Sequence, residues 1–202
     1  MRRILIAAAA SLSLAVPVFA QSVVPPTVQR IRGAVKSLEG NVLVIDTREG
    51  GTASITLAPN FAVAAVIPAT LADAKPGTYI GTAAAGPKDK LRALEVLIFP
   101  EALRGSGEGH YPWDLVPEST MTNGTIEAEV TGGDGRTLTV MAKGEKLVVN
   151  VPPATPIVTF VPGDATMLKP GTKVFIGATK AADGTLTAAR VNAGKDGMTP
   201  PM

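Results

Sequence analysis

Short runs of aliphatic and β-branched residues, each followed by a turn, succeed one another along most of the chain. Within some runs apolar and polar positions alternate, as they do at 137–140. Hairpin signals separate the runs at 39–41, at 132–135 and at Asp183-Gly184. No stretch has a convincing long helical period, so the pattern predicts an all-β chain of short strands.

The chain also contains two copies of one pattern. The sequence Lys-Pro-Gly-Thr at 75–78 recurs at 169–172, 94 positions later (169 − 75), and Pro68 has the same spacing from Pro162. In such a turn the proline presets φ and the glycine takes the position of positive φ, from which the next strand begins. The apolar runs on either side correspond as well, which defines two repeats at about residues 28–99 and 122–193.

Each repeat predicts about five strands and one helical turn that ends at the proline. This order resembles that of an OB-type barrel, and closure would remove the exposed edges of a small sheet. The predicted fold is therefore all-β, with two tandem small OB-like β-barrels joined by a long ordered loop at 100–121. Residues 194–202, rich in glycine and proline, are predicted to form a disordered tail.

Residues 1–20 have the organisation of a cleavable secretory signal peptide. A basic start precedes an apolar stretch at 4–16, and small residues at Val18 and Ala20 predict cleavage before Gln21. The apolar stretch is too short for a stable membrane span. We therefore expect a periplasmic or secreted protein without a membrane span after cleavage.

The charge of the mature chain argues against some classes of partner. The full chain has 19 basic and 17 acidic residues. Two of the basic residues, Arg2 and Arg3, precede the predicted cleavage site, so the mature chain has 17 of each sign. Nucleic acid binding requires a clustered positive field, so we expect no nucleic acid partner.

Little catalytic chemistry is evident in the sequence. The chain has no cysteine, which excludes disulfides and thiolate chemistry. It also lacks a Gly-x-Ser-x-Gly elbow and a His-Glu-x-x-His motif. A triad of Ser106 or Ser119 with His110 and Asp114 would lie on one short loop. We therefore expect a protein that is not an enzyme.

The segment between the repeats carries most of the unusual side chains. It holds the only histidine and the only tryptophan of the chain. A long connection is usually functional or disordered, and its aromatic residues argue against disorder. The predicted ligand-binding residues are Arg104, Glu108, His110, Trp113 and Asp114.

The same segment offers candidate metal ligands, namely Glu108, His110, Asp114 and Met121. Carboxylate oxygens and an imidazole suit a divalent ion, whereas methionine and tryptophan beside histidine suit Cu(I). The predicted cofactor is therefore a copper ion or another divalent metal ion. The alternative is that Trp113 packs between the barrels, since a lone tryptophan is often a packing anchor.

The residues His110, Trp113-Asp114 and Met121-Thr122-Asn123 resemble the ligand set of CusF-type periplasmic copper chaperones, which are small OB barrels. The resemblance implies a copper role for His110, Met121 and Trp113. In that family the ligands lie on barrel strands, and here they occupy the segment between the repeats. The repeats also resemble uncharacterised exported bacterial proteins with OB-like β repeats, on the basis of the Lys-Pro-Gly turn and the strands after it.

Two hypotheses follow. The first is an exported, non-enzymatic binding protein that holds a ligand, with a metal ion as the leading candidate, through the segment between the repeats. The second is a structural or protein-interaction module of the envelope, with an envelope protein as partner and the segment as interdomain packing.

Overall fold

The computed structural model describes residues 27–132 and 135–202. The predicted signal peptide, its cleavage site and the hairpin tip at 133–134 lie outside the described residues. The described strands are β1 (Thr27–Glu39), β2 (Val42–Thr47), β3 (Thr52–Pro68), β4 (Tyr79–Ala85), β5 (Leu91–Ile98), β6 (Gly109–Pro112), β7 (Thr120–Gly132), β8 (Gly135–Ala142), β9 (Glu145–Val151), β10 (Ile157–Gly163), β11 (Lys173–Lys180) and β12 (Leu186–Gly194). Short 3-10 turns lie at Leu71–Asp73, Glu101–Leu103, Ala165–Met167 and Lys195–Gly197. The prediction of an all-β protein is confirmed.

Strand pairing closes two rings of five strands. The first barrel contains β1, β2, β3, β12 and β11, and β11 returns to pair with β1. The second barrel contains β7, β8, β9, β5 and β4, and β4 returns to pair with β7. In the first ring β12 lies parallel to β3, and in the second ring β5 lies parallel to β9.

Each barrel combines strands from both sequence repeats. The first three strands of a ring come from one repeat, and the last two come from the other. This arrangement differs from the expected barrels of continuous chain at 28–99 and 122–193. The barrels form instead by an exchange of strand pairs between the two predicted repeats.

The length of β3 explains the exchange. This strand has 17 residues, and at about 3.3 Å per residue it spans more than 50 Å. Its first part pairs with β2 and its second part pairs with β10, while β12 runs parallel to both parts. The chain therefore leaves β3 at Pro68 beside β10 of the other repeat, and β4 and β5 complete the second barrel.

Equivalent hydrogen bonds join each exchanged pair to its host barrel. The amide of Gly171 donates to the carbonyl of Val35 at 2.8 Å, and the amide of Gly77 donates to the carbonyl of Ile126 at 2.8 Å. Both glycines belong to the Lys-Pro-Gly-Thr turns and both have φ of +90°, as predicted. The repeated turn thus attaches each repeat to the other.

The two repeats meet where β3 pairs with β10. In this antiparallel pair Val66 lies opposite Phe160, and these positions are 94 residues apart (160 − 66), the spacing of the repeat. An approximate twofold axis relates the repeats and passes between them. Each barrel has its own buried aliphatic core. A third cluster at the junction contains Val66, Leu97, Phe160 and Met202.

Residues 194–202 differ from the predicted disordered tail. Met202 is 3% exposed and belongs to the junction cluster, and Met198 packs beside it. The guanidinium of Arg32 donates from Nε to the main-chain oxygen of Met202 at 2.5 Å. Apolar side chains within this glycine- and proline-rich segment supply the contacts that its composition alone does not indicate.

Candidate functional site

The segment between the repeats is ordered and attached mainly to the second barrel. It contains the turn Glu101–Leu103 and the short strand β6, which pairs with β7. Arg104 donates to both carboxylate oxygens of Glu101, at 2.5 and 2.8 Å, and to the carbonyl of Gly77 at 2.9 Å. Arg104 therefore anchors the segment next to the repeated turn.

Two predicted metal ligands have protein partners of their own. Glu108 accepts a hydrogen bond from the amide of Lys143 at 3.0 Å, in the turn between β8 and β9. Nδ1 of His110 lies 2.9 Å from Oγ1 of Thr122. Partial burial lowers the pKa of His110, with a smaller contribution from the charge of Lys88.

Trp113 and Asp114 lie at the junction of the barrels, against strand β1. The guanidinium of Arg30 lies 3.9 Å from the centre of the Trp113 ring, and Phe175 of β11 packs against that ring. Asp114 accepts from Arg32 at 2.7 Å and lies 3.8 Å from Arg30. These contacts join the segment to the first barrel.

The side chains of the predicted metal ligands thus contact different neighbouring residues. Asp114 pairs with arginines, Glu108 caps a turn and His110 bonds a threonine. Within 27–132 and 135–202, no group of three or more histidine, aspartate or glutamate side chains is placed to hold a metal ion. Met121 is buried and faces a cavity that His110 does not line.

That cavity lies between the barrels and has a volume of about 340 Å³. Its walls come from both repeats, from the segment between them and from the tail. Aromatic side chains supply much of its surface, namely Phe99, Tyr111, Trp113, Phe160 and Phe175. Its polar lining includes Glu95, Ser106, Asn123, Arg190 and Asn192. A mostly apolar cavity with a few convergent polar groups is the usual form of a small-molecule site.

Three buried polar atoms of the described residues have no hydrogen-bond partner, and all three belong to side chains that line this cavity. They are Oε2 of Glu95, Nε1 of Trp113 and Oδ1 of Asn192. An unpaired buried polar atom costs about 1–3 kcal/mol, so most such atoms in proteins are paired. Their convergence on one cavity indicates a site that a polar group would complete.

Glu95 is the most unusual of the three. It is fully buried on β5, where Oε1 accepts from the amide of Ala83 at 3.2 Å. Burial raises the pKa of Glu95 to about 8, and the hydrogen bond from Ala83 and the charge of Arg32 oppose that rise. At neutral pH the carboxyl group is therefore protonated, and Oε2 is available as a donor.

Asn123 fixes the segment at the edge of the cavity. Its Nδ2 donates to the carbonyls of Ser106 and Gly107, at 3.3 and 3.1 Å, and to the hydroxyl of Tyr111 at 3.0 Å. The turn at 105–107 thus lies against β7, and its glycines allow this close backbone approach. Only Trp113 among the predicted ligand-binding residues lines the cavity.

Glu95, Arg190 and Asn192 were not among the predicted site residues. A signal for Glu95 was present, because this carboxylate interrupts the apolar run Leu94–Ile98. A carboxylate within an apolar run of a strand marks a buried charge or a site. No such signal existed for Asn192, because its burial depends on contacts between the repeats.

Comparison with protein-family models, with curated proteins and with solved structures finds no match to this chain. Within the described part of the chain, no helix has both the length and the apolar character that a membrane crossing needs.

Proposed function

We propose that the protein is an exported, non-enzymatic binding protein that holds a small, mostly apolar organic molecule in the cavity between its two barrels. The observation that carries the proposal is a mostly apolar cavity lined by all three side chains that hold an unpartnered buried polar atom. Export itself rests on the signal peptide predicted at 1–20.

The cavity defines the chemistry of a matching ligand. The indole N–H of Trp113 requires an acceptor, and the amide of Asn192 offers an acceptor or, after a half-turn, a donor. The aromatic walls favour an apolar body. A molecule with an apolar body and a polar group at one end satisfies these requirements.

The predicted packing role of the segment is compatible with this function. Trp113 contacts Arg30 and Phe175 through its ring, and its Nε1 is left unpartnered. One side chain therefore joins the barrels and supplies a polar atom to the site. The interaction-module hypothesis stays a prediction.

Titration with octan-1-ol tests the proposal, because this neutral probe has an apolar body and one hydroxyl group. Trp113 is the only tryptophan of the chain, so its fluorescence reports directly on the cavity. We expect the alcohol to change the tryptophan emission and to raise the melting temperature in a saturable manner. The variant Asn192→Leu should stabilise the free protein by about 1 kcal/mol and weaken the response several-fold.

A matched control is Asn150→Leu, which alters an asparagine of β9 that lies on the wall of a different pocket. It should leave the titration unchanged. The absence of any saturable response in the wild-type protein would contradict the proposal. A destabilised Asn192→Leu protein with an unaltered response would assign that asparagine a structural role instead.

The metal hypothesis stays a prediction. Titration with Cu(I), Cu(II) and Zn(II) tests it, together with the variant His110→Ala. Binding that His110→Ala weakens would support a metal role for the segment. Unchanged or absent binding would leave the organic ligand as the function to pursue.

A further inference from the structure

A second cavity adjoins the first. It has a volume of about 660 Å³ and shares Leu103, Phe160 and Arg190 with the first cavity. Its other lining is mainly apolar and includes Phe61 and Ala102. The two cavities are therefore adjacent, with Leu103, Phe160 and Arg190 at their common boundary.

The charges around the two cavities are unequal. Arg190 is exposed on β12 and is the one lysine or arginine that lines either cavity, and within the described ranges it makes no ion pair or side-chain hydrogen bond. Two further arginines, Arg30 and Arg32, share the single carboxylate of Asp114 nearby. Asp164 lines the second cavity, and its Oδ1 accepts hydrogen bonds from the amide and the hydroxyl group of Thr166.

The free polar groups of the first cavity are mostly donors. The indole of Trp113 can only donate, the guanidinium of Arg190 can only donate, and the buried carboxyl group of Glu95 donates in its neutral form. Asn192 presents either end of its amide. A ligand cation would find no free carboxylate anion here, whereas a carboxylate would find several donors and an unpaired guanidinium.

We propose that the ligand is an anionic amphiphile of the alkyl carboxylate class. Its head group lies among Arg190, Glu95 and Asn192, and its apolar chain passes Leu103 and Phe160 into the second cavity. This inference rests on the proposed function, since it specifies the molecule that the same site binds.

Three probes of equal chain length test the inference, namely octanoate, octan-1-ol and octylamine, with Trp113 fluorescence as the readout. We expect octanoate to bind at least ten-fold more tightly than the alcohol, and the amine to bind most weakly. Charge-assisted hydrogen bonds are about twice as strong as neutral ones. Arg190→Gln should lower the affinity for octanoate about ten-fold and lower that for the alcohol much less.

Arg92→Gln is the matched control, because it removes an exposed arginine of β5 that lines a different pocket. Arg92→Gln should change neither the affinity for octanoate nor that for octan-1-ol. Both Arg92→Gln and Arg190→Gln should have the melting temperature of the wild type. If octylamine binds most tightly, or if octanoate binds no better than the alcohol, the anionic ligand is excluded and the proposed function remains. If none of the three probes binds, the proposed function fails as well.

Discussion

Gly33 of the first repeat and Gly124 of the second occupy the same place in their barrels. At each of them a Cβ atom would lie within 3.0 Å of a main-chain oxygen on the neighbouring strand, that of Asp46 in one case and that of Met141 in the other. The residue just before each glycine differs, being Arg32 in one repeat and Asn123 in the other. Each barrel thus requires a glycine at this position, whereas the residue before the glycine differs between the repeats.

The positions that face the cavity differ in the same way. Glu95 corresponds to Arg190 and Leu97 to Asn192, at a spacing of 95 residues (190 − 95), and all four line the cavity. An acid in one repeat thus faces the same space as a base in the other. The two repeats have the same residue type where strands approach closely, and they have different residue types where their side chains line the cavity. The cavity is therefore asymmetric although the fold around it is nearly symmetric.

The largest expected effect concerns Glu95 and its basic counterpart Arg190. The pKa of Glu95 is about 8 in the folded protein and 4.5 as its ordinary value, so between these values the folded state binds the extra proton. The contribution of Glu95 to the free energy of unfolding is therefore largest below about pH 4.5, and it decreases as the pH rises to about 8. The loss is on the order of 4–5 kcal/mol.

Urea unfolding between pH 5 and pH 9 measures this dependence. Glu95→Gln should remove it, and Arg190→Gln should retain it, because Arg190 is exposed. Arg32 is the charged neighbour that favours the ionised form of Glu95. Equal slopes in the wild type and Glu95→Gln would show that another group titrates.

The paired glycines come next. Gly33→Ala and Gly124→Ala should each destabilise the protein by about 3 kcal/mol, because the added methyl group clashes with main-chain atoms of the neighbouring strand. Gly177→Ala is the control, since the nearest atom to its Cβ would be 3.9 Å away. Chemical denaturation should find the control within about 0.5 kcal/mol of the wild type. A large difference between the two paired variants would break the proposed equivalence of the barrels.

Trp113 belongs to the segment between the repeats, and its ring contacts Tyr111 of β6 and Phe175 of β11. Trp113→Ala should cost about 2 kcal/mol, because it removes the contacts with Arg30, Tyr111 and Phe175. Trp113→Phe retains part of the stacking and should cost about half as much. Thermal unfolding of both variants measures the difference, and an unchanged melting temperature in Trp113→Ala would argue against a packing role.

The smallest effect concerns the short turns that precede the two Lys-Pro-Gly-Thr motifs. Asp73 accepts hydrogen bonds from Thr70, and Asp164 accepts from Thr166, so each turn has an aspartate cap built differently. Asp73→Ala and Asp164→Ala should each cost about 0.5–1 kcal/mol. Clearly unequal losses in chemical denaturation would show that the two turns contribute differently to their barrels.

Local pattern predicted much of the fold and little of the cavity. The hairpin at Gly40, the turns at Gly77 and Gly171 and the all-β class follow from residues close together in the chain. The candidate site was predicted only as far as Trp113. Glu108, His110 and Asp114 are neighbours in sequence, but their side chains point to different partners because β6 and the residues after it cross the junction.

The sequence by itself determined that the chain folds as two similar sets of short strands, because alternation and turn residues act over a few positions. It also determined that the unusual side chains between the repeats would be ordered. Only the tertiary structure decided which strands complete which barrel, because the length of β3 and its pairing with β10 send β4 and β5 to the other repeat. Only that exchange brings Glu95, Trp113 and Asn192 to one cavity, since their contacts are made between distant parts of the chain.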